Sequence, residues 1–197
     1  SSAATGEIVY RLLSHLGQNN FTTEAARALY TAIMTDTGSF RFPKTGPEIH
    51  RQVAHLLECG ADPVAIYQQV YEQGSAGRLQ LLGRALASLQ TAHSGKVACM
   101  TVTRQMFQET GTSEEDTDNV INYTLTVKGV QVGLLFTELN EGMKISFRSK
   151  GNIWINKLAQ EFGGNGHQHA AGARVPGGTV NELLPKVLER SKSYLNE

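Results

Sequence analysis

Gly163-Gly164-Asn165-Gly166-His167-Gln168-His169-Ala170-Ala171-Gly172 places four glycines and two histidines within ten residues, directly after an amphipathic helical pattern. Glycine tolerates positive φ and close backbone approach, so such a stretch can present successive N–H groups to an anion, with imidazole donors beside them. The alternative is a helix C-cap followed by a turn into a strand. Taken alone, the stretch leaves both interpretations open.

The residues around this stretch alternate between strand and helix patterns. Four segments have the alternating or continuously apolar pattern of strands: residues 97–102, 130–139, 143–148 and 172–175. Helical patterns follow Asn152 and end the chain. The second half of the chain is therefore predicted to be an α/β domain of about a hundred residues.

One predicted strand ends in Ser146-Phe147-Arg148-Ser149. A guanidinium matches phosphate bidentately, and two neighbouring hydroxyls add hydrogen-bonding groups, so this strand end is a candidate phosphate clamp. The alternative is an arginine that faces solvent on an edge strand.

The first half of the chain is helical. Apolar residues recur at helical spacing in four segments: residues 8–16, 25–33, 49–57 and 64–70. The chain opens on a helical pattern with no strand before it, so we expect the beginning of this domain to be missing. A further helix with leucines at 79, 82, 86 and 89 is predicted between Ser75 and Ser94, as a linker between two domains.

A polar loop, Asp36-Thr37-Gly38-Ser39-Phe40-Arg41, interrupts the helical half. The carboxylate of Asp36 has two interpretations. It is a candidate ligand for a hard metal ion, which prefers oxygen donors, or it caps a helix.

The composition excludes some classes of function. The 18 basic residues balance 18 acidic ones, which argues against a protein that coats long nucleic acid by electrostatics. Cys59 and Cys99 lie far apart in apolar surroundings and are predicted to be buried free thiols rather than a disulfide or a zinc site. No apolar run is long enough for a membrane span, so a cytoplasmic location is expected.

The three motifs at Asp36–Arg41, Ser146–Ser149 and Gly163–Gly172 together resemble the DHH phosphoesterases, and more narrowly their nano-RNase/pAp-phosphatase branch. The resemblance covers essentially the whole chain. It implies an α/β fold in three parts. These are the C-terminal helical end of a DHH catalytic domain (residues 1–74), a linker helix (75–93) and a smaller DHH-associated substrate-binding domain with a mixed sheet (94–197).

The resemblance also implies the chemistry. Members of this family use two Mn²⁺ ions to hydrolyse short oligoribonucleotides and 3′-phosphoadenosine 5′-phosphate (pAp), and Asp36 corresponds to one metal ligand. The implied substrate-binding residues are Ser146, Arg148, Ser149, Gly163, Gly164, Asn165, Gly166 and His167. The expected partner is a short single-stranded RNA or nucleotide. The resemblance leaves open whether the chain forms a homodimer.

Two departures qualify the resemblance. The family loop has a third glycine where this chain has Asn165, the side chain that best tolerates left-handed backbone. No Asp-His-His motif occurs, and Asp36 alone cannot hold two cations, so no catalytic set is complete and we expect this chain alone to be inactive. The alternatives are a cyclic dinucleotide phosphodiesterase, a RecJ-like exonuclease, or a nucleic-acid-binding module without catalytic activity.

Overall fold

A computed structural model of the chain describes residues 4–42 and 45–195. Contacts between Cα atoms divide the chain after Gly74 into two units, Ser1–Gly74 and Ser75–Glu197. Each unit has its own core. None of the helices in the described ranges has the length and apolarity that crossing a bilayer requires.

The first unit is built from four helices. They are α1 (Thr5–His15), α2 (Thr23–Asp36), α3 (Pro47–Glu58) and α4 (Pro63–Tyr71). Local sequence fixes two of their starts: the Thr22 hydroxyl accepts the Ala25 N–H at 3.3 Å, and the Asp62 carboxylate accepts the Val64 N–H at 2.9 Å. The core of the unit forms around Ile33, Met34 and Leu56.

The second unit alternates helices and strands. Its regular elements are α5 (Ala76–Ala87), β1 (Gln90–Ala92), β2 (Val97–Val102), α6 (Arg104–Thr110), β3 (Val132–Leu139), β4 (Gly142–Ser149), α7 (Ile155–Gln160), β5 (Asn165–His167), β6 (Ala170–Pro176) and α8 (Val180–Ser191). Short 3₁₀ helices cover Glu114–Thr117, Val120–Thr126 and Lys192–Tyr194. The α/β class and the mixed sheet predicted from the sequence are both confirmed.

The six strands form one mixed sheet in the order β1-β2-β3-β4-β6-β5. Strands β2 and β3 pair in parallel, and every other neighbouring pair is antiparallel. The glycine stretch supplies β5 and most of β6, so it forms the hairpin at one edge of the sheet.

The two faces of the sheet are covered differently. Helices α7 and α8 pack against one face, where their Leu158 and Val187 join Phe136 and Phe147 in one apolar cluster. The other face is covered by α5 and the 3₁₀ helix Val120–Thr126, around Leu135 on β3. On that second face, β4, β6 and β5 lie outside the apolar cluster, which leaves a polar half.

Helix α5 differs from the linker predicted over residues 75–93. The helix ends at Ala87, and residues 90–92 form β1 instead. Leu81 and Ala85, rather than the leucines at 79, 82, 86 and 89, are its buried residues, and they pack on Met100 of β2. The predicted helix ran too far because Leu89 continued the apolar spacing into the edge strand.

Candidate functional site

Arg148 lies on β4, at the inner edge of the polar half-face. The register sets Arg148 of β4 opposite Ala170 of β6, and Ala170 opposite His167 of β5. Directly paired residues point to the same side of a sheet, so the three side chains form one row, which we call the first row. The small side chain of Ala170 leaves space above the sheet between Arg148 and His167.

A second row runs parallel to the first. Two residues along each strand, Ser146 lies opposite Gly172, and Gly172 lies opposite Asn165. The spacing between the rows is about 6.8 Å, since an antiparallel strand rises about 3.4 Å per residue. A hydroxyl and an amide thus flank a residue without a side chain.

Arg148 has no counter-ion among residues 4–42 and 45–195. Its side chain is half-buried, and Nη1 donates to the Phe147 carbonyl oxygen at 3.0 Å. No carboxylate among the described residues forms a salt bridge with Arg148. Burial lowers the pKa of the guanidinium, although an arginine stays protonated in proteins. A half-buried cation without an acidic partner is expected to attract an anion.

His167 and Asn165 form the edge of this face. Both are exposed and belong to β5. The Asn165 Oδ1 accepts the Gly166 N–H at 2.7 Å, which turns the amide of Asn165 toward its own hairpin. Left-handed backbone occurs at Gly163 (φ 73°) rather than at Asn165, so the asparagine does not need the conformational tolerance inferred for it from the sequence.

The amides of the glycine stretch do not form the predicted anion nest. The Gly163 N–H donates to the Gln160 carbonyl at 3.1 Å, and the Gly164 N–H donates to the Ala159 carbonyl at 2.9 Å. Together with the left-handed Gly163, these bonds cap α7 in the manner of the alternative interpretation. With the Gly166 N–H on Asn165 Oδ1, the amides of Gly163, Gly164 and Gly166 all have acceptors inside the chain.

Gly164 and Gly166 are required by close packing. A Cβ on Gly164 would lie 2.4 Å from the Gly172 carbonyl oxygen, and one on Gly166 would lie 2.5 Å from that of Ala170. These two glycines let α7 and β5 approach β6. Their role in the structure is therefore to hold the hairpin against the sheet.

Ser149 does not join the face on which Arg148 lies. Alternation along β4 sends it to the opposite side, where it is buried. Its hydroxyl donates to the Ile153 carbonyl at 2.7 Å and contacts His169 Nδ1 at 3.1 Å. The clamp of two hydroxyls predicted from the sequence is corrected accordingly: Ser146 shares the face with Arg148, and Ser149 holds the following loop.

Asp36 belongs to the first unit and ends α2. Its Oδ2 accepts the N–H of Thr5, the first residue of α1, at 3.2 Å, where a carboxylate is favoured by the helix dipole. Within residues 4–42 and 45–195, no group of three or more His, Cys, Asp and Glu side chains is placed to hold a metal ion. These residues by themselves therefore do not fit a two-metal centre.

A third row, which none of the three motifs predicts, lies on the same face. Lys144 of β4 lies opposite Arg174 of β6, two residues beyond the second row. Glu114 accepts from both, at 2.9 Å from Lys144 Nζ and 2.5 Å from Arg174 Nη2. The alternation along β4 that places Ser146 on the same face as Arg148 also places Lys144 there. The position of Lys144 on this face was therefore predictable from the sequence.

The two cysteines carry no disulfide, and both are free thiols. Cys99 is buried in the sheet, and burial raises the pKa of its thiol. Cys59 is half-buried, so the prediction of a buried thiol there was too strong. Neither thiol lies on the polar half-face.

The fold and this face define an α/β domain with a mixed sheet and one polar half-face that carries Arg148. Residues 94–197 match the DHHA1 domain, and the chain belongs to that family. The resemblance to the DHH phosphoesterases drawn from the three motifs is thereby confirmed.

Two relatives indicate the branch. The chain is 32% identical over 195 residues to the bifunctional oligoribonuclease and PAP phosphatase NrnA of Thermus thermophilus, an alignment that covers 99% of this chain and 58% of that protein. It is 26% identical over 175 residues to the cyclic-di-AMP phosphodiesterase PdeA of Listeria monocytogenes, covering 86% of this chain and 25% of the relative.

A solved structure has the same fold throughout. An exopolyphosphatase-related protein from Bacteroides fragilis superposes with a TM-score of 0.91 at 32% identity, over 100% of this chain and 59% of its own. The chain spans little more than half the length of this protein and of the Thermus relative.

Proposed function

We propose that this chain binds the phosphate groups of short oligoribonucleotides and of pAp, as part of a hydrolase that cleaves them. The half-buried, unpaired Arg148 on the polar half-face of a DHHA1 domain carries the proposal. The relative named as an oligoribonuclease and PAP phosphatase supports this choice of substrate. The balanced charge of the chain favours a short ligand over a long strand, which needs an extended basic channel.

Each residue of the face has a role in this proposal. Arg148 binds one phosphate with two parallel N–H donors, and His167 donates to the same phosphate from the far end of the first row. Ser146 and Asn165 hydrogen-bond the next phosphate or the ribose. Ala170 and Gly172 let the ligand backbone approach the sheet.

The source of the water-activating chemistry lies outside the described residues. In the DHH phosphoesterases that the motifs resemble, two Mn²⁺ ions supply this chemistry, and Asp36 is proposed to contribute a single oxygen ligand to them. The described residues do not form a two-metal centre. Ligand binding, rather than hydrolysis, is therefore the property to measure with this chain. Purified 1–197 is expected to bind pAp and to release no phosphate from it.

Arg148→Ala tests the binding role. The variant is expected to bind pAp about tenfold to a hundredfold more weakly by isothermal titration calorimetry, because hydrogen bonds to a charged group contribute about 1.5–3 kcal/mol. Arg148→Lys should recover part of the loss, since lysine keeps the charge and loses the bidentate geometry.

Arg104→Ala is the matched control, because Arg104 is an exposed arginine of the same unit outside the two rows. Its affinity for pAp should equal that of the unaltered chain. Equal affinity of Arg148→Ala and the unaltered chain would contradict the proposed site. A similar loss in both variants would point to general charge attraction instead.

A cyclic dinucleotide is the second candidate substrate, favoured by the likeness to the Listeria cyclic-di-AMP phosphodiesterase. Titration of pAp, a 5′-phosphorylated linear dinucleotide and cyclic di-AMP into the same protein separates the two candidates. Preferential binding of the linear ligands is expected, since they carry a terminal phosphate with more negative charge to place at Arg148.

A further inference from the structure

The third row contains two cations that are already bound by an anion. Glu114, from the 3₁₀ helix Glu114–Thr117, reaches over the sheet to Lys144 and Arg174 on β4 and β6. Its carboxylate receives hydrogen bonds from both through the same Oε1. Two basic side chains that converge on one oxygen form an anion position, and the protein fills it with its own residue.

The spacing of the rows matches the repeat of a nucleic acid strand. Arg148, Ser146 and Lys144 follow one another along β4 on the same face, with steps of about 6.8 Å. Successive phosphates of an extended oligonucleotide are separated by a comparable distance. A ligand that starts with a phosphate at Arg148 therefore brings its second phosphate to the second row and its third to Lys144 and Arg174.

The ionised form of Glu114 is stabilised in this position. Partial burial opposes its ionisation, but the hydrogen bonds and charges of Lys144 and Arg174 outweigh that effect and lower the pKa of Glu114. The carboxylate is therefore ionised at neutral pH. A third phosphate at this row has to displace an anion that is already bound.

The region beyond the third row contains further carboxylates. A cavity of about 600 Å³ begins there, with Glu114 and Arg174 in its wall. Its ionisable lining consists of three carboxylates and two arginines: Glu114, Glu138, Glu141, Arg104 and Arg174. Further phosphates would meet Glu138 and Glu141, in contrast to Arg148, which has no carboxylate partner among the described residues.

We propose that Glu114 determines ligand length: it occupies the Lys144–Arg174 anion position and so restricts the face to ligands with two phosphates, such as pAp or a 5′-phosphorylated dinucleotide. This inference rests on the proposed function, since it takes Arg148 as the position of the first phosphate. Its new element is a closed third subsite for a phosphate, with Glu114 as an internal competitor.

Glu114→Gln tests the inference, since it keeps the shape and removes the charge. The affinity of the 197-residue chain for pAp and for a 5′-phosphorylated tetraadenylate is measured by calorimetry. The variant is expected to bind the tetranucleotide about fivefold to tenfold more tightly and pAp unchanged, in keeping with the modest size of exposed charge effects. Glu114→Ala should behave in the same direction.

Glu115→Gln is the matched control, because Glu115 is an exposed neighbour in the same 3₁₀ helix without a salt bridge in the described part of the chain. It removes the same charge and should leave both affinities unaltered. Equal tightening for pAp and the tetranucleotide, equal effects at Glu114 and Glu115, or no change at Glu114 would each overturn the length role. Failure of the unaltered chain to bind pAp would overturn the proposed function and this inference together.

Discussion

At the scale of single residues, consecutive side chains on β4 point to opposite faces of the sheet. Arg148 and Ser149 were predicted to act on the same phosphate, yet alternation sends one to the polar half-face and buries the other against Ile153. The row position of a residue therefore matters more than its distance along the chain. Gly172 shows the same principle, because its lack of a side chain opens the second row.

Gly172→Ala separates a folding role from a binding role. Its backbone is not left-handed, and an added Cβ would meet only the Ile145 carbonyl oxygen at 3.7 Å, an ordinary contact. The methyl group would stand between Ser146 and Asn165, so we expect an unchanged melting temperature and about tenfold weaker binding of pAp, the effect of about 1.4 kcal/mol.

Gly83→Ala is the control for that substitution. Gly83 lies in α5, where an added Cβ has no neighbour within 4 Å. It should bind pAp as the unaltered chain does and unfold at an equal or higher temperature, because alanine is the better helix former. Unchanged pAp affinity of Gly172→Ala would show that the ligand does not approach the second row.

At the scale of elements, the glycine stretch is a joint between α7 and the edge hairpin. Gly163 ends the helix in the left-handed conformation, and Gly164 and Gly166 bring β5 close to β6. The stretch positions His167 and Asn165 without using its own amides to bind an anion. Its contribution to the site is thus the placement of side chains on β5.

Gly164→Ala tests the joint. The new methyl group would lie 2.4 Å from the Gly172 carbonyl oxygen and 2.8 Å from that of Ala159, and backbone atoms in a helix end and a strand cannot move aside cheaply. We expect the free energy of unfolding to fall by about 1–3 kcal/mol in urea titrations. Gly172→Ala, which has room for its methyl group, should unfold at the same urea concentration as the unaltered chain. Equal stability of all three proteins would contradict the packing role of Gly164.

At the scale of the whole molecule, the second unit is larger than its family match. The DHHA1 match begins at residue 94, whereas the second unit begins at Ser75 and includes α5. Leu81 of α5 is fully buried beneath the sheet, and the Ser88 hydroxyl accepts the Thr101 N–H at 2.9 Å where the helix meets β2. Helix α5 is consequently part of this core rather than a free connection.

Two fragments test the extent of this unit. Residues 75–197 are expected to unfold cooperatively by circular dichroism, because both faces of their sheet keep their apolar covers. Residues 94–197 lose Leu81 and Ala85 and uncover Met100, at a cost of about 1.5–3 kcal/mol for each large buried side chain. The shorter fragment should melt at a markedly lower temperature or aggregate. Equal melting temperatures would show that α5 is dispensable, as a linker would be.

Local sequence patterns were sufficient to predict the α/β class, most of the strands and the three motifs. These depend on local physics: apolar alternation predicts strands, and Thr22 and Asp62 start helices through bonds to residues two or three positions away. The C-cap alternative for Gly163 was also available from local sequence, because a left-handed residue after a helix favours glycine.

Long-range strand pairing sets which residues share a face. Strand register sets Arg148 beside Ala170 and His167, and it separates Ser149 from them. The bonds of Glu114 to Lys144 and Arg174 cross 30 and 60 positions of sequence. Such contacts depend on how β4, β6 and a distant 3₁₀ helix are brought together, and no local pattern encodes that distance. The sequence motifs identify candidate residues of the half-face. The pairing of its strands determines which position offers the free charge of Arg148 to an anion and which position is occupied by Glu114.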